Sequence, residues 1–496
     1  MTSLATPAVE RASDRPFALR LMIVIALAAI ADALFYDQRI GLSLVLFLIV
    51  LTAASLIANF AQLDHKRARA ASAIFVVGAL PAIEDLNLLS FLFLLLGTIS
   101  SITLWTNPAA SGLRTPLTAF RQLLLIGPFR LGPDVLAAMR GPGLAGAILG
   151  WCVPLAFGLV FLALFAAANP LIERWLGTLR PDRVIADFDR LRALFWLAML
   201  SLIWPFIQLR WRRKVVRPVD LAGPAEIPAQ GPASTASTDL LGAVTVLRSL
   251  ILFNLLFAVQ SALDLVYLWG GVALPDGLTY ASYAHRGAYA LIVTALLAAA
   301  FVLIAIRPAD EKRPPRLLRP LLYLWVGQNL LLVVSSMLRL KLYIDIYLLT
   351  YWRVAALVWM GLVAIGLILI VLRIRLNRSH RWLVRMNLLA LAATLYVCAL
   401  TNLNAIIAGY NVAHSQEAGG KGVVLDICYL ASLGPQALPA IDRAIAFHLS
   451  DAHLSLRRAG LLEVQAGDMA SWRTWSFRSW RLQQYLNTHP PLSPPS

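Results

Sequence analysis

The chain has 496 residues, of which 59% are hydrophobic and only 14% are charged. A soluble globular domain has about 45–50% apolar and about 25% charged residues, so this composition excludes an ordinary soluble protein. Three cysteines are too few for a disulfide framework, and no CxxC pair supports a zinc or redox site. No cofactor is predicted.

Apolar runs of about 20 residues recur along the chain, which is typical of transmembrane helices. They predict an all-α fold: a polytopic integral membrane helical bundle of about eleven transmembrane helices with a small C-terminal helical extramembrane tail. The predicted spans are 19–35, 41–61, 71–83, 86–105, 144–168, 193–209, two within 240–307, 320–338, 354–372 and 387–407. The run 71–83 is short and contains Pro81, so a re-entrant helix is the alternative there.

Composition divides the chain into five parts. Residues 1–18 are polar and predict a disordered cytoplasmic N-terminus. Six spans occupy 19–209, and a basic anchor with a Pro-, Ala- and Ser-rich flexible linker fills 210–239. Five spans occupy 240–407. Residues 408–496 are polar enough to form an extracytoplasmic helical tail.

Two segments suit a position at the membrane surface. The segment 111–140 places arginines among leucines and is broken by Pro128 and Pro133. It predicts surface helices, with a packed loop as the alternative. The tail interleaves tryptophans and arginines between Trp472 and Arg481. That pattern predicts an amphipathic interfacial helix, with a small packed helical domain as the alternative.

The distribution of positive charge predicts the orientation. Of the 43 Lys and Arg residues, 25 lie in segments on the N-terminal side of the bundle and ten in connectors on the other side. By the positive-inside rule, this bias predicts a cell inner membrane protein with its N-terminus in the cytoplasm and its tail outside. The weakest point is a predicted outer loop with Arg339, Lys341 and Arg353. Because topology explains much of the net charge of +17, the lipid bilayer is the predicted partner and no nucleic acid is needed.

Polar residues inside the predicted spans are candidate site residues, because each is costly in lipid. They lie on the seventh and ninth spans and are Asn254, Gln260, Asp264, Gln328 and Asn329. Gln260 and Asp264 are four residues apart and share a helix face, with Asp264 near the outer end. The pair Gln328 and Asn329 is the expected partner of Asn254. The row predicts a polar pathway or ligand site, and hydrogen bonding between helices is the structural alternative.

The connector between spans seven and eight is the second candidate site. Its polar residues are Tyr280, Tyr283, His285 and Arg286. They offer a titratable group and hydrogen-bond donors at the outer face, and an aromatic belt with one anchoring arginine is the alternative.

No catalytic or metal site is predicted. No GxSxG or HExxH motif is present. The tail contains His448, Asp451 and His453, but their spacing is not that of an established metal site.

Three functions remain open from these residues. The first is transport or sensing of a small solute by the polar row. The second is a scaffold or signalling partner in an envelope complex, in which the linker and tail bind an envelope protein. The third is a membrane-embedded envelope-lipid or glycan enzyme that uses His285 and Asp276 as acid–base groups.

Four sequence segments resemble a bacterial family of membrane proteins catalogued only as a domain of unknown function. They are ADALFYDQRIGLSL, LPDGLTYASYAHRGAYALIVTALLAAAFVL, YIDIYLLTYWR and LDICYLASLGPQALPAI, and they extend from Ala31 to Ile441. The resemblance implies an integral membrane protein of the bacterial cell envelope with a C-terminal helical extension, and it implies no activity. Where the family has a Gly-Leu-Thr pattern, this chain has Leu348-Leu349-Thr350, which weakens the expectation that a glycine is needed there.

Overall fold

The computed structural model describes residues 17–59, 65–107, 114–139, 161, 189–211, 243–266, 317–446 and 452–489. Every regular element within those ranges is a helix, which confirms the all-α prediction. The chain divides into two compact units. Unit 1 comprises 1–216 with 467–486, and unit 2 comprises 217–466 with 487–496.

Unit 1 begins with two helical hairpins and adds a seventh helix after a broken helical segment. Its helices are α1 (Phe17–Phe35), α2 (Leu42–Ala58), α3 (His65–Glu84), α4 (Leu88–Thr106), α5 (Arg114–Phe120), α6 (Leu131–Met139) and α7 (Arg190–Ile207). A short turn between Glu84 and Leu88 joins α3 to α4. Asn87 caps α4 by accepting hydrogen bonds from the amides of Leu89 and Ser90, each at 3.0 Å.

The α3–α4 hairpin is packed closely because two glycines meet at its centre. A Cβ atom on Gly78 would lie 2.9 Å from the Cα of Gly97 and 2.7 Å from the carbonyl oxygen of Phe93. Small residues allow such close approach between membrane helices. The short predicted span 71–83 is part of α3, a 20-residue helix that continues through Pro81 and does not turn back.

The segment before α7 is helical but irregular. Between α5 and α6 the backbone passes through a π-helix at Arg121–Ile126 and a 3₁₀ turn at Gly127–Arg130 that contains Pro128. The segment packs on α7: the Nε1 of Trp204 on α7 donates to an Oδ of Asp134 on α6 at 3.0 Å. The predicted helices are therefore present, and their position at a membrane surface remains a prediction.

Unit 2 contains four long helices followed by short ones. They are α8 (Ala243–Asp264), α9 (Leu318–Tyr347), α10 (Tyr351–Arg375), α11 (His380–Leu400), α12 (Leu403–His414), α13 (Ile427–Ser432) and α14 (Leu438–Ala446). Two further helices, α15 (Ala452–Met469) and α16 (Phe477–Thr488), complete the described chain.

Two predicted boundaries in unit 2 are wrong. Helix α9 does not end at Leu338 but runs to Tyr347, so Arg339 and Lys341 lie on a helix and not in an outer loop. The predicted span 387–407 is two helices, because the chain leaves the helix at Thr401 and Asn402 caps α12. Hydropathy ended the first span before Arg339 because that residue and Lys341 are charged, although the helix continues through them. It missed the second break because it registers apolar length and not backbone capping.

Seven of the described helices are long and apolar enough to cross a membrane, and α2 is apolar but shorter. The seven are α1, α4, α7, α8, α9, α10 and α11. The predicted span at 144–168, apart from residue 161, and the span after residue 287 lie outside the described residues. The protein is therefore a membrane-like helical bundle, for which eleven spans stay a prediction.

The tail segment of unit 1 docks on the turns of its two hairpins. Arg478 is buried. Its Nε lies 3.4 Å from an Oε of Glu84, and its Nη1 lies 3.0 Å from an Oδ of Asp85. The carbonyl oxygen of Arg473 accepts a hydrogen bond from the amide of Ser43 at 3.3 Å. The basic and aromatic tail segment therefore packs on the helices of unit 1, and its position at a membrane surface remains a prediction.

Candidate functional site

The predicted polar row lies on the face along which α8 meets α9. The buried residues of α8 include Asn254, Ser261 and Asp264, spaced seven and three residues apart along one helix face. Asn254 contacts Leu321 and Gln328 near the beginning of α9, whereas Asp264 contacts Arg339 nearer its end. The two helices therefore run parallel.

Asn254 and Gln328 come together as the sequence predicts, although each binds main chain. The Nδ2 of Asn254 donates to the carbonyl oxygens of Leu250 at 2.7 Å and Leu321 at 3.2 Å. The Nε2 of Gln328 donates to the carbonyl oxygen of Asn254 at 3.2 Å. Asn329 is buried but donates within its own helix, to the carbonyl oxygen of Trp325 at 2.8 Å.

Asp264, the charged residue of the row, is almost fully enclosed, although the sequence places it near the outer end of its span. Its side chain is 1% exposed and forms an ion pair with Arg339, which is 6% exposed. The Nε2 of Gln260 donates to the same carboxylate at 3.0 Å. Sequence reasoning missed Arg339 because it ended the span one residue earlier. The available signal was the absence of proline and glycine from 328–347, which allows one helix to continue.

Several oxygen atoms on these two helices are buried without a hydrogen bond to the described part of the chain. They are Asn254 Oδ1, Ser261 Oγ, Gln328 Oε1 and Asn329 Oδ1. The amide orientations are fixed by chemistry, because only the NH₂ group can donate to a carbonyl oxygen. The remaining amide oxygens can only accept. Leaving such a group unsatisfied costs about 1–3 kcal/mol, so the site is suited to a group that donates.

A second polar cluster in unit 2 joins two of the family-like segments. The side chain of Asn411 binds both main-chain groups of Leu349, accepting from its amide at 2.7 Å and donating to its carbonyl at 2.9 Å. The Oη of Tyr429 accepts from the amide of Tyr351 at 3.1 Å. These contacts hold the break between α9 and α10 against the short helices that follow α11.

That break contains strained backbone. Leu348 has φ +63° and ψ −178°, a conformation that glycine adopts readily and leucine rarely. The backbone at this position therefore favours glycine, although this chain carries leucine there. Arg353 helps to hold the conformation by donating to the carbonyl oxygens of Tyr347 and Leu348.

Tyr410 is a hydrogen-bond donor in the same cluster. Burial, together with a hydrogen bond to Asp345 at 3.0 Å, raises the pKa of Tyr410 to about 12. The phenol therefore stays protonated at neutral pH. The arrangement is structural: it provides positioned donors and acceptors and leaves the phenol poorly suited as a base.

Some predicted site residues lie outside the described residues. They are Tyr280, Tyr283, His285, Arg286 and Asp276 in the connector, and His448 and Asp451 in the tail. In the described ranges, no group of three His, Cys, Asp or Glu side chains is arranged to hold a metal ion.

Comparison with known proteins identifies a family. A family model described as a domain of unknown function (DUF4153) matches residues 21–444, which is most of the chain. No curated protein and no solved structure matches. The matched residues include most of both units, the polar row and the strained break at Leu348. The chain therefore belongs to the DUF4153 family.

Proposed function

We propose that this protein binds a small polar solute at the α8–α9 site within the membrane, and transports or senses it. The observation that carries the proposal is the set of buried acceptor oxygens on Asn254, Gln328 and Asn329, together with the Ser261 hydroxyl. Buried polar groups in a membrane helix bundle are retained at a cost, so they favour a functional site.

The chemistry of the row indicates the class of solute. Acceptor oxygens bind N–H or O–H donors, and they also bind hard cations such as sodium. The Asp264–Arg339 pair has no net charge, so it adds no preference for an anion. A small amine, a polyol or a monovalent cation therefore fits better than a phosphate or a carboxylate.

Binding is tested by thermal unfolding of the detergent-purified protein in ammonium, ethanolamine, glycerol and sodium salts. A ligand that binds only the folded state raises its stability. At least one probe should raise the Tm of the wild type and fail with Asn254→Ala and Asn329→Ala. The matched control is Asn387→Ala on α11, whose amide makes the same bond to its own helix, at 2.9 Å to Leu383. A shift that survives both test variants, or no shift with any probe, would contradict the proposal.

Uptake into proteoliposomes separates transport from sensing. A transporter should accumulate the probe that raises the Tm, and Asn329→Ala should abolish that uptake. Binding without uptake favours sensing. The scaffold and the envelope-lipid or glycan enzyme remain alternatives, for which the described residues offer no specific contact.

The same proposal places the protein in a bacterial inner membrane with its N-terminus in the cytoplasm and its tail outside. In unit 1 the tail contacts the α1–α2 and α3–α4 turns, at the opposite end of α1 from residue 17. That arrangement supports a tail on the side away from the N-terminus. Reporter fusions after Ala61, Leu209, Leu372 and Ser496 should report inside, inside, inside and outside. An inside report after Ser496 would contradict it.

A further inference from the structure

An enclosed arginine at the α10–α11 turn carries an inference that is independent of the solute site. Arg373 lies in the last turn of α10, and its side chain is 8% exposed. Its Nη1 is fully buried and makes no hydrogen bond to the described part of the chain. It lies one turn beyond Ile370, which belongs to the apolar core of unit 2.

The surroundings of Arg373 are cationic. Helices α8 and α9 run parallel and α10 returns beside α9, so the beginnings of α8 and α9 lie at the same end of unit 2 as the α10–α11 turn. The exposed arginines at that end are Arg248, Arg319, Arg375, Arg378, Arg381 and Arg385. Within the described ranges, no salt bridge joins any of them to an acidic side chain.

The positive-inside rule does not by itself explain Arg373. Arginines that serve topology extend their guanidinium groups into water or among headgroups, as the exposed Arg375 does two residues later. Burying a guanidinium without an anion costs far more than exposing it. A buried guanidinium surrounded by exposed arginines therefore indicates an anion that the described chain does not provide.

We propose that the α10–α11 turn binds the phosphate group of an anionic phospholipid, with Arg373 as its deepest ligand. The planar guanidinium matches phosphate oxygens in bidentate geometry. The turn joins two helices that are each long enough to span a membrane. The ends of spanning helices lie at the depth of the lipid phosphates. The surrounding arginines raise the local concentration of anions and favour the inner leaflet.

The test is lipid binding by the full-length protein in neutral detergent. Phosphatidylglycerol should bind more tightly than phosphatidylcholine, as measured by native mass spectrometry and by the rise in Tm. Arg373→Gln should weaken phosphatidylglycerol binding by about 10- to 100-fold, since it removes a charge-assisted contact. The matched control Arg375→Gln should change it by less than about 3-fold, because that side chain is exposed.

A second measurement separates a binding role from a structural role. Without anionic lipid, Arg373→Gln should unfold at the same temperature as the wild type or higher, because it removes an uncompensated buried charge. If Arg373→Gln is instead destabilising, and Asp310→Asn with Glu311→Gln is equally so, an acidic residue of the chain is the partner and the proposal is overturned. Equal stabilisation by inorganic phosphate would support a phosphate site but overturn its lipid source.

Discussion

Each unit contains an ion pair that joins two helices, but the two pairs differ in their exposure to water. In unit 1 an ion pair joins α1 to α7, where the Nε of Arg192 lies 3.0 Å from an Oδ of Asp32. Arg192 is 55% exposed there, whereas both partners of the Asp264–Arg339 pair in unit 2 are almost fully enclosed. Exposed pairs contribute little because water screens them. An enclosed ion pair adds little net stability, but removing one partner leaves the other charge buried and destabilises the protein strongly. Unit 2 is therefore sensitive to the loss of either residue.

The turns of the two units differ in a related way. Asp37, in the α1–α2 turn of unit 1, has φ +54°, which aspartate tolerates better than most residues. Leu348 adopts positive φ at the α9–α10 break although its side chain is branched and buried. Unit 2 therefore holds both costly charges and costly backbone. This combination is typical of functional regions.

The largest predicted effect is on the enclosed pair. Asp264→Ala should lower the free energy of unfolding by about 3–5 kcal/mol, because it leaves Arg339 buried without its carboxylate. Asp264→Leu combined with Arg339→Leu should recover most of that loss. Denaturant unfolding of the detergent-purified protein measures both. A single variant as stable as the wild type would mean that water reaches the pair.

The buried Arg478–Glu84 pair in unit 1 tests whether the cost of breaking an ion pair depends on its burial or on the unit in which it lies. Arg478→Ala should lower the free energy of unfolding by about 2–3 kcal/mol and release the tail segment 467–486, since Arg478 is 8% exposed. Arg481→Ala, which loses a contact to the same Glu84 from a half-exposed position, should cost at most about 1 kcal/mol. Limited trypsin digestion of the tail reports release. Equal effects of the two substitutions would refute the dependence on depth.

The strained backbone at Leu348 should reverse the usual order of stability of a glycine and an alanine variant. Leu348→Gly and Leu348→Ala both remove the buried side chain, but only glycine relieves the backbone. The glycine variant should be the more stable by about 1 kcal/mol, whereas alanine is ordinarily the more stable of the two. Unfolding of both variants under identical conditions measures the difference. A more stable alanine variant would show that the backbone at Leu348 is not strained.

The smallest predicted effect is at the Asp32–Arg192 pair of unit 1, in which Asp32 is 8% exposed and Arg192 is 55% exposed. Asp32→Asn should change the free energy of unfolding by at most about 1 kcal/mol, because Arg192 is largely solvated. High salt should reduce the difference further, whereas it should barely change the effect of Asp264→Ala. A loss comparable to that of Asp264→Ala would remove the contrast between the units.

The sequence by itself determined the helical membrane-like class, the family and the identity of the polar row. Apolar runs of spanning length and motif strings are local features, so they are legible without a structure. It also predicted the pairing of Asn254 with Gln328, because few polar groups are available within the described spans to satisfy one another.

Only the tertiary structure decided the partner of Asp264, the glycine-like backbone at Leu348 and the enclosure of Arg373. Arg339 is 75 residues from Asp264 in the chain, and hydropathy assigned it to a loop. Arg373 looks like any other arginine in a basic turn until its burial is measured. Each of these features depends on how helices pack, which residue type and spacing do not encode locally. Burial sets the energetic consequence of a charge, and burial is a property of the folded chain.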